Sequence, residues 1–298
     1  MSGYRDLKDL ITPVCPDLLD RVKKEIEQRE QDFVQRERES VDSFLWEHTL
    51  HVALYARRLS LLEKTDPLLP VLAALFHDMG KFDGGRYHRD EIPEEKKSAG
   101  AASGFLHRAG FKNSDIDHIV SGLNSLYDEK SKANMLANIL HDADFLAKAG
   151  YLGVAEFFTK SALKGQNLSH ALSLHLSKEL TYASLLAANM RTSAGRKIAV
   201  QKAKDSLAFY QGLLEELADS GISRFTIVNE ELPCPSKHGK ILKIVLAIPS
   251  ECPSCRGELR REYSFEQGIK CTELIGRIRC SDCSYSERIS FCLPELPG

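Results

Sequence analysis

The chain has 298 residues, 43% hydrophobic and 28% charged, with a formal net charge of −2. That is enough for one large domain or two with a sizeable core, and the near-balance of charge means that any basic surface must be local. No stretch approaches the roughly 18 unbroken apolar residues of a membrane span, and the start M-S-G-Y-R-D-L-K-D-L lacks the apolar centre of a signal peptide. The expected location is the cytoplasm, with no membrane partner.

Residues 1–17 read as a short lead-in broken by Pro13 and Pro16. Asp17 to about Ser40 reads as a charged helix with sparse apolar positions (Leu18, Leu19, Val22, Ile26, Phe33), lying on the surface. The next helix runs from Asp42 or Ser43 to about Leu62. In it His48 shares a face with Val52, Tyr55, Ala56 and Leu59 and so points inward. His51 lies about 60° off that face.

A short apolar helix follows, with Asp66 as its N-cap and Pro67 in its first position. It ends on the stretch A-A-L-F-H-D-M-G-K, Ala73–Lys81. His77 and Asp78 sit side by side where this buried helix stops, so an imidazole and a carboxylate can reach one cation. The polar segment after Lys81 contains Arg86, His88 and Arg89 and reads as a loop over the site. With Lys81, these three are the candidates for contacting an anionic substrate.

Helices are expected at Lys96–Ala109, Ser114–Tyr127 and Ala133–Ala149. On the last, Ile139, Asp142, Ala143 and Leu146 share a face, which places the Asp142 carboxylate on an apolar stripe. A buried carboxylate needs a cation or a dense set of donors. By the same geometry His141 and Asp144 point elsewhere and rank second. Helical periodicity continues from Tyr151 to about Ser220.

Near Gly221 the period changes to β-branched, strand-like runs, F-T-I-V and K-I-L-K-I-V-L-A-I. The cysteines belong to this part. Of eight, Cys15 stands alone and seven lie between Cys234 and Cys292, a clustering that favours metal over disulfides in a cytoplasmic chain. Cys252 and Cys255, then 24 residues, then Cys280 and Cys283 give two C-x2-C pairs suited to a tetrahedral structural zinc. Cys234, Cys271 and Cys292 are read as spare thiols. The chain is thus divided into a helical domain, 1–220, and a β module, 221–298.

The stretches W-E-H-T-L-H-V-A-L-Y-A, A-A-L-F-H-D-M-G-K and I-L-H-D-A-D-F-L resemble, in order, the motifs of the HD superfamily of metal-dependent phosphohydrolases. N-M-R-T-S-A-G-R-K-I-A-V resembles the C-terminal helical region of a bacterial branch of small HD hydrolases. C-P-S-C and C-S-D-C-S-Y resemble the knuckles of zinc ribbons. The resemblance implies a mainly α protein, an HD-type helical domain followed by a small β zinc ribbon. It implies one divalent ion (Mn, Fe, Co, Ni or Zn) held by His48, His77, Asp78 and Asp142. Asp78 and Lys81 are then the catalytic pair, and hydrolysis of a phosphomonoester or phosphodiester, in a nucleotide-type substrate, is the expected reaction. Dinuclear HD enzymes have two further histidines, where this chain has Glu94 and Leu126. His88, His107 and His118 do not match that spacing, so a single ion is expected.

The role of the ribbon is open at this stage: ribbons bind nucleic acid, bind proteins or only stabilise, so nucleic acid and protein are both candidate partners. Arg256, Arg260, Arg261, Lys270, Arg277, Arg279 and Arg288 make it locally basic, and Tyr263, Phe265 and Tyr285 could stack on bases. Two alternatives stand beside the hydrolase: a nuclease fed single strands by the ribbon, and a nucleotide-sensing regulator without turnover.

Overall fold

The computed structural model describes residues 2–34, 44–81, 92–126, 134–163, 165–221, 224–233, 241–252, 254–267 and 272–292. The chain forms two compact units. The first comprises Met1–Ala147 with Met190–Ile198, the second Lys148–Asn189 with Ala199–Gly298.

The first unit is helical: α1 (Ser2–Ile11), α2 (Leu18–Val34), α3 (Phe44–Leu62), α4 (Leu68–Phe76), α5 (Glu94–Arg108), α6 (Asn113–Asn124), α7 (Met135–Ala147) and the start of α10 (Ser193–Asp219). At its centre is α4, fully buried from Val71 to Phe76, as expected of a helix apolar on all sides. It packs against α3, α5, α6 and α7. The helix begins one residue later than expected, with Pro67 at the N-cap, and Asp66 just before it accepts a hydrogen bond from the Leu68 N–H at 2.9 Å.

Two expectations for the N-terminal part change. The lead-in contains a helix, α1, that buries Leu7 and Ile11. And α2 is no surface helix: Leu18, Val22 and Ile26, four residues apart, are fully buried. One narrow stripe suffices for packing while the charged residues occupy the rest of the circumference. Further along α2, Glu30 is buried, and its two carboxylate oxygens accept hydrogen bonds from the N–H groups of Phe44 and Leu45, both at 3.0 Å. That carboxylate caps the start of α3. Phe33's side chain and the segment 35–43 lie outside the described residues.

The second unit joins α8 (Gly150–Leu163), α9 (Leu168–Asn189) and the rest of α10 to two antiparallel sheets. β1 (Phe225–Pro233) pairs with β2 (Ile241–Pro249), with Phe225 opposite Pro249. β3 (Leu259–Gln267), β4 (Thr272–Cys280) and β5 (Ser286–Cys292) form the other sheet in that order. Ile244, Leu246 and Ile248 of β2 bury against Leu274, Ile278, Ile289 and Phe291 of β4 and β5. The alternate residue Ala247 buries against Leu172, Leu176 and Leu180 of α9 and Tyr210 and Leu217 of α10. β2 is thus buried on both faces, which is why its sequence is nearly continuously apolar.

The division expected at residue 220 falls inside this second unit. Its helices and strands share one core, and hydroxyls of α9 bond to β2. Ser177 Oγ donates to Ala247 O at 3.2 Å and accepts from Ala247 N at 3.0 Å; Thr181 Oγ1 donates to Val245 O at 2.9 Å and accepts from Val245 N at 3.0 Å. The two hydroxyls do for the strand edge what a neighbouring strand would do. No described helix is long and apolar enough to cross a membrane.

Candidate metal centres

α4 stops at Phe76, and His77–Lys81 turn out of it. Gly80 lets α5 pack directly against this turn. A Cβ there would lie 2.7 Å from the Glu94 carbonyl oxygen and 2.9 Å from the Ser98 nitrogen, so only glycine admits α5 this close. The Gly80 N–H donates to Ser98 Oγ at 2.9 Å, and Arg29 of α2 donates to the Met79 carbonyl at 3.1 Å. The turn is therefore held from both sides.

Beside it the ligand atoms of His48, His77 and Asp78 all lie within 4.8 Å of one another, and the buried Asp144 carboxylate stands against both imidazoles. His48 comes from α3, His77 and Asp78 from the turn, and Asp144 from α7. His48 Nε2 lies 3.7 Å from Asp78 Oδ2 and 3.3 Å from Asp144 Oδ1; His77 Nε2 lies 3.4 Å and 3.7 Å from the same two oxygens. These separations are long for hydrogen bonds. They suit the edges of a coordination shell, since ligands at about 2.0–2.2 Å from one ion stand about 3.0–3.5 Å apart. His77 is set for this role. Its Nδ1 contacts the Ala74 carbonyl at 2.7 Å, which fixes that nitrogen as the N–H and leaves Nε2 as the acceptor. Nε2 of His77 is buried and makes no hydrogen bond.

Electrostatics at the turn agree. Burial opposes ionisation of Asp78, but His77, Lys81 and His48 outweigh it and hold the carboxyl well below the usual range. Burial likewise opposes protonation of His77, and Asp78 and Asp144 overcome it, raising its pKa. Lys81 pairs with Asp78 and stands 3.7 Å from Glu94. A pocket with two carboxylates, two imidazoles and one ammonium at its rim fits a divalent cation.

Asp142 is placed differently from the sequence expectation. Its carboxylate faces residues 191–195. Oδ1 accepts from the Arg191 N–H at 2.8 Å and meets His141 Nδ1 at 2.9 Å; Oδ2 accepts from the N–H and the hydroxyl of Thr192, both at 2.7 Å. Thr192 Oγ1 in turn accepts from the Gly195 N–H at 2.9 Å, capping α10. A Cβ on Gly195 would run into the Asp142 carboxylate. With four charge-assisted partners, Asp142 is engaged away from His48 and His77. The residue that joins them is Asp144, fully buried. α7 is buried from Ala137 to Asp144, so an apolar-stripe argument could not choose between its two aspartates.

His107 and His118 are exposed, on α5 and α6. Arg86, His88 and Arg89 lie outside the described residues. Sequence reasoning also missed Glu63, which accepts from the Ala194 N–H at 2.6 Å and helps hold the start of α10.

The second cluster is Cys252, Cys255, Cys280 and Cys283, whose sulfurs all lie within 4.8 Å of one another. Cys252 and Cys283 are 3.5 Å apart, as are Cys255 and Cys280. Backbone N–H groups of Asp282 and Tyr285 donate to Cys280 and Cys283. At Cys252 burial opposes ionisation, but N–H groups of Cys255 and Ser254 draw the thiol down to about 7. Four sulfurs so arranged suit a closed tetrahedral zinc. Cys292 is disulfide-bonded rather than a spare thiol; Cys234 and Cys271 lie outside the described residues.

Residues 45–149 match the family model described as the HD domain. This stretch is an HD domain, the domain of the hydrolase superfamily whose motifs the sequence resembles, and it contains His48, His77, Asp78 and Asp144. Solved structures resemble the chain at low identity. YpgQ of Bacillus subtilis, in complex with ADP, is 19% identical, with 67% of this chain and 95% of that chain covered and a TM-score of 0.47. A predicted HD superfamily hydrolase from an uncultured Thermotogales bacterium is 20% identical, covering 66% and 92%, with a TM-score of 0.46. An HD-superfamily hydrolase from Bacillus thuringiensis is 18% identical, covering 67% and 98%, with a TM-score of 0.46. Comparison with curated proteins finds no match.

Proposed function

We propose that the chain is a divalent-metal-dependent phosphohydrolase of the cytoplasm, acting on a phosphomonoester or phosphodiester of nucleotide type, with His48, His77, Asp78 and Asp144 holding the ion. The observation that carries this is the convergence of two imidazole nitrogens and two carboxylate oxygens at 3.3–3.7 Å in a buried pocket. A mixed N/O set of this kind suits Mn, Fe, Co, Ni or Zn. The ion would supply a nucleophilic water at neutral pH and polarise a phosphoryl oxygen.

The chain's own residues do the rest. Ala74 holds the His77 ring in one tautomer, so its Nε2 lone pair faces the pocket. Asp78 stays ionised. Lys81, partly exposed at the rim, offers a positive charge to an incoming phosphate once Asp78 is shared with the ion. Glu94, 3.7 Å from Lys81, helps hold that lysine in place. The buried apolar helix beneath the turn excludes bulk water from the metal side of the pocket. The nucleotide-type substrate rests on the motif resemblance, and zinc is the proposed occupant of the four-cysteine cluster.

The test is a turnover screen of the full chain on p-nitrophenyl phosphate, its diester and mononucleotides, with Mn, Co, Ni or Mg after chelation. We expect activity that disappears with chelator and returns with one of the transition metals. An intact chain that binds Mn but turns over none of these esters would contradict the enzymatic reading and favour a sensor.

A further inference from the structure

The three-stranded sheet presents an arrangement that folding alone does not favour. Its register sets Arg260 directly opposite Arg279 and Arg277 directly opposite Arg288. All four side chains are exposed. Alternation along β4 puts Arg277 and Arg279 on one face, and their cross-strand partners share it. Strands stand about 4.8 Å apart, and residues two apart on a strand about 6.6 Å, so the four guanidinium groups form a compact grid. Glu262, opposite Arg277, is the single acidic residue in these two rows. Among the described residues none of the four arginines makes an ion pair. Like charges directly opposite one another destabilise a sheet.

We propose that this arginine face binds the phosphate backbone of a nucleic acid without reading its bases. A polyanion with closely repeated charges offsets the repulsion, and arginine is suited to it because its fork bonds phosphate bidentately. Ser286, exposed opposite Arg279, adds a hydroxyl donor on the same face. Base reading is excluded by where the aromatics went. Tyr263 and Phe265 pack against the Ile-Leu core between the sheets, and the Tyr285 hydroxyl donates to Glu287 at 2.6 Å. Two of the three aromatics of the stacking platform that a single-strand reader needs are therefore turned inward, and the third is tied by its hydroxyl. This inference stands independently of the hydrolase reading, because none of its residues belongs to the HD site.

The experiment uses the full zinc-loaded chain and fluorescently labelled mixed-sequence duplexes, with anisotropy read against salt. The variant is Arg277→Gln with Arg288→Gln, chosen because these two stand a row away from the cysteines. Four phosphate contacts should weaken duplex binding about 100-fold between about 50 and 200 mM salt, and the double variant about 10-fold. Zinc content, circular dichroism and turnover of a small ester should stay unchanged in the variant, and affinity should not vary with base sequence. Salt-insensitive binding, equal binding by the variant, a strong base-sequence preference, or equally tight competition by polyglutamate would each overturn the proposal.

Discussion

Asp142 and Asp144 show how two carboxylates one turn-fraction apart take different work. Asp142 gathers donors from residues 191 and 192 and His141, so it fastens the start of α10 to α7. Asp142→Asn should cost stability, about 2 kcal/mol, since an amide cannot accept at both atoms and carries no charge. Thermal unfolding should show that loss while affinity for Mn changes little. Asp78 gives a pH signature in the ion-free chain. Its folded pKa lies below the unfolded value, so its contribution is present above about pH 4 and is lost as pH falls toward the folded value. Asp78→Asn should flatten the acid limb of the stability curve, measured by denaturant midpoint against pH. That His48, His77 and Asp78 come together was legible because the motif order and the buried helix end both pointed to them. Asp144 was not: the two aspartates are about 200° apart on a helix buried all round, so periodicity had no polar face to measure against. The decisive signal, Thr192 and Gly195 gathering at Asp142, is about 50 residues away along the chain.

At the scale of elements, most helices and strands follow from local pattern. α4 is a run of apolar residues ending at Phe76, and β2 runs apolar as a doubly buried strand should. α1 and α2 were misread as a lead-in and a surface helix because their buried stripes are narrow amid many charges. What local pattern cannot carry is the use of Ser177 and Thr181, polar residues on α9 that read as ordinary helix positions. They meet a strand 64 and 70 residues further on. Thr181→Val with Ser177→Ala should strand the amides and carbonyls of Val245 and Ala247, at about 1–3 kcal/mol for each group left unsatisfied. Hydrogen exchange at Val245 and Ala247 should speed up in that variant, and unchanged protection would show that the hydroxyls are dispensable.

For the whole molecule, the units cut across sequence order. A boundary at residue 220 looked natural because the period changes there, yet β2 completes the core of α9 and α10. Removing 221–298 should therefore expose Leu172, Leu176 and Leu180 and Tyr210, and the truncated chain should lose helical signal or aggregate. A soluble truncated chain with full helical ellipticity would mean that the two parts are separable after all. The central claim is that one divalent ion sits on His48, His77, Asp78 and Asp144, apart from zinc on the four cysteines. It is tested most directly by elemental analysis of the full chain loaded with Mn and Zn, comparing Asp144→Asn with Asp142→Asn. The account predicts one Mn and one Zn per wild-type chain, loss of Mn with retention of Zn in Asp144→Asn, and both metals in Asp142→Asn. Mn retained in Asp144→Asn and lost in Asp142→Asn would contradict it.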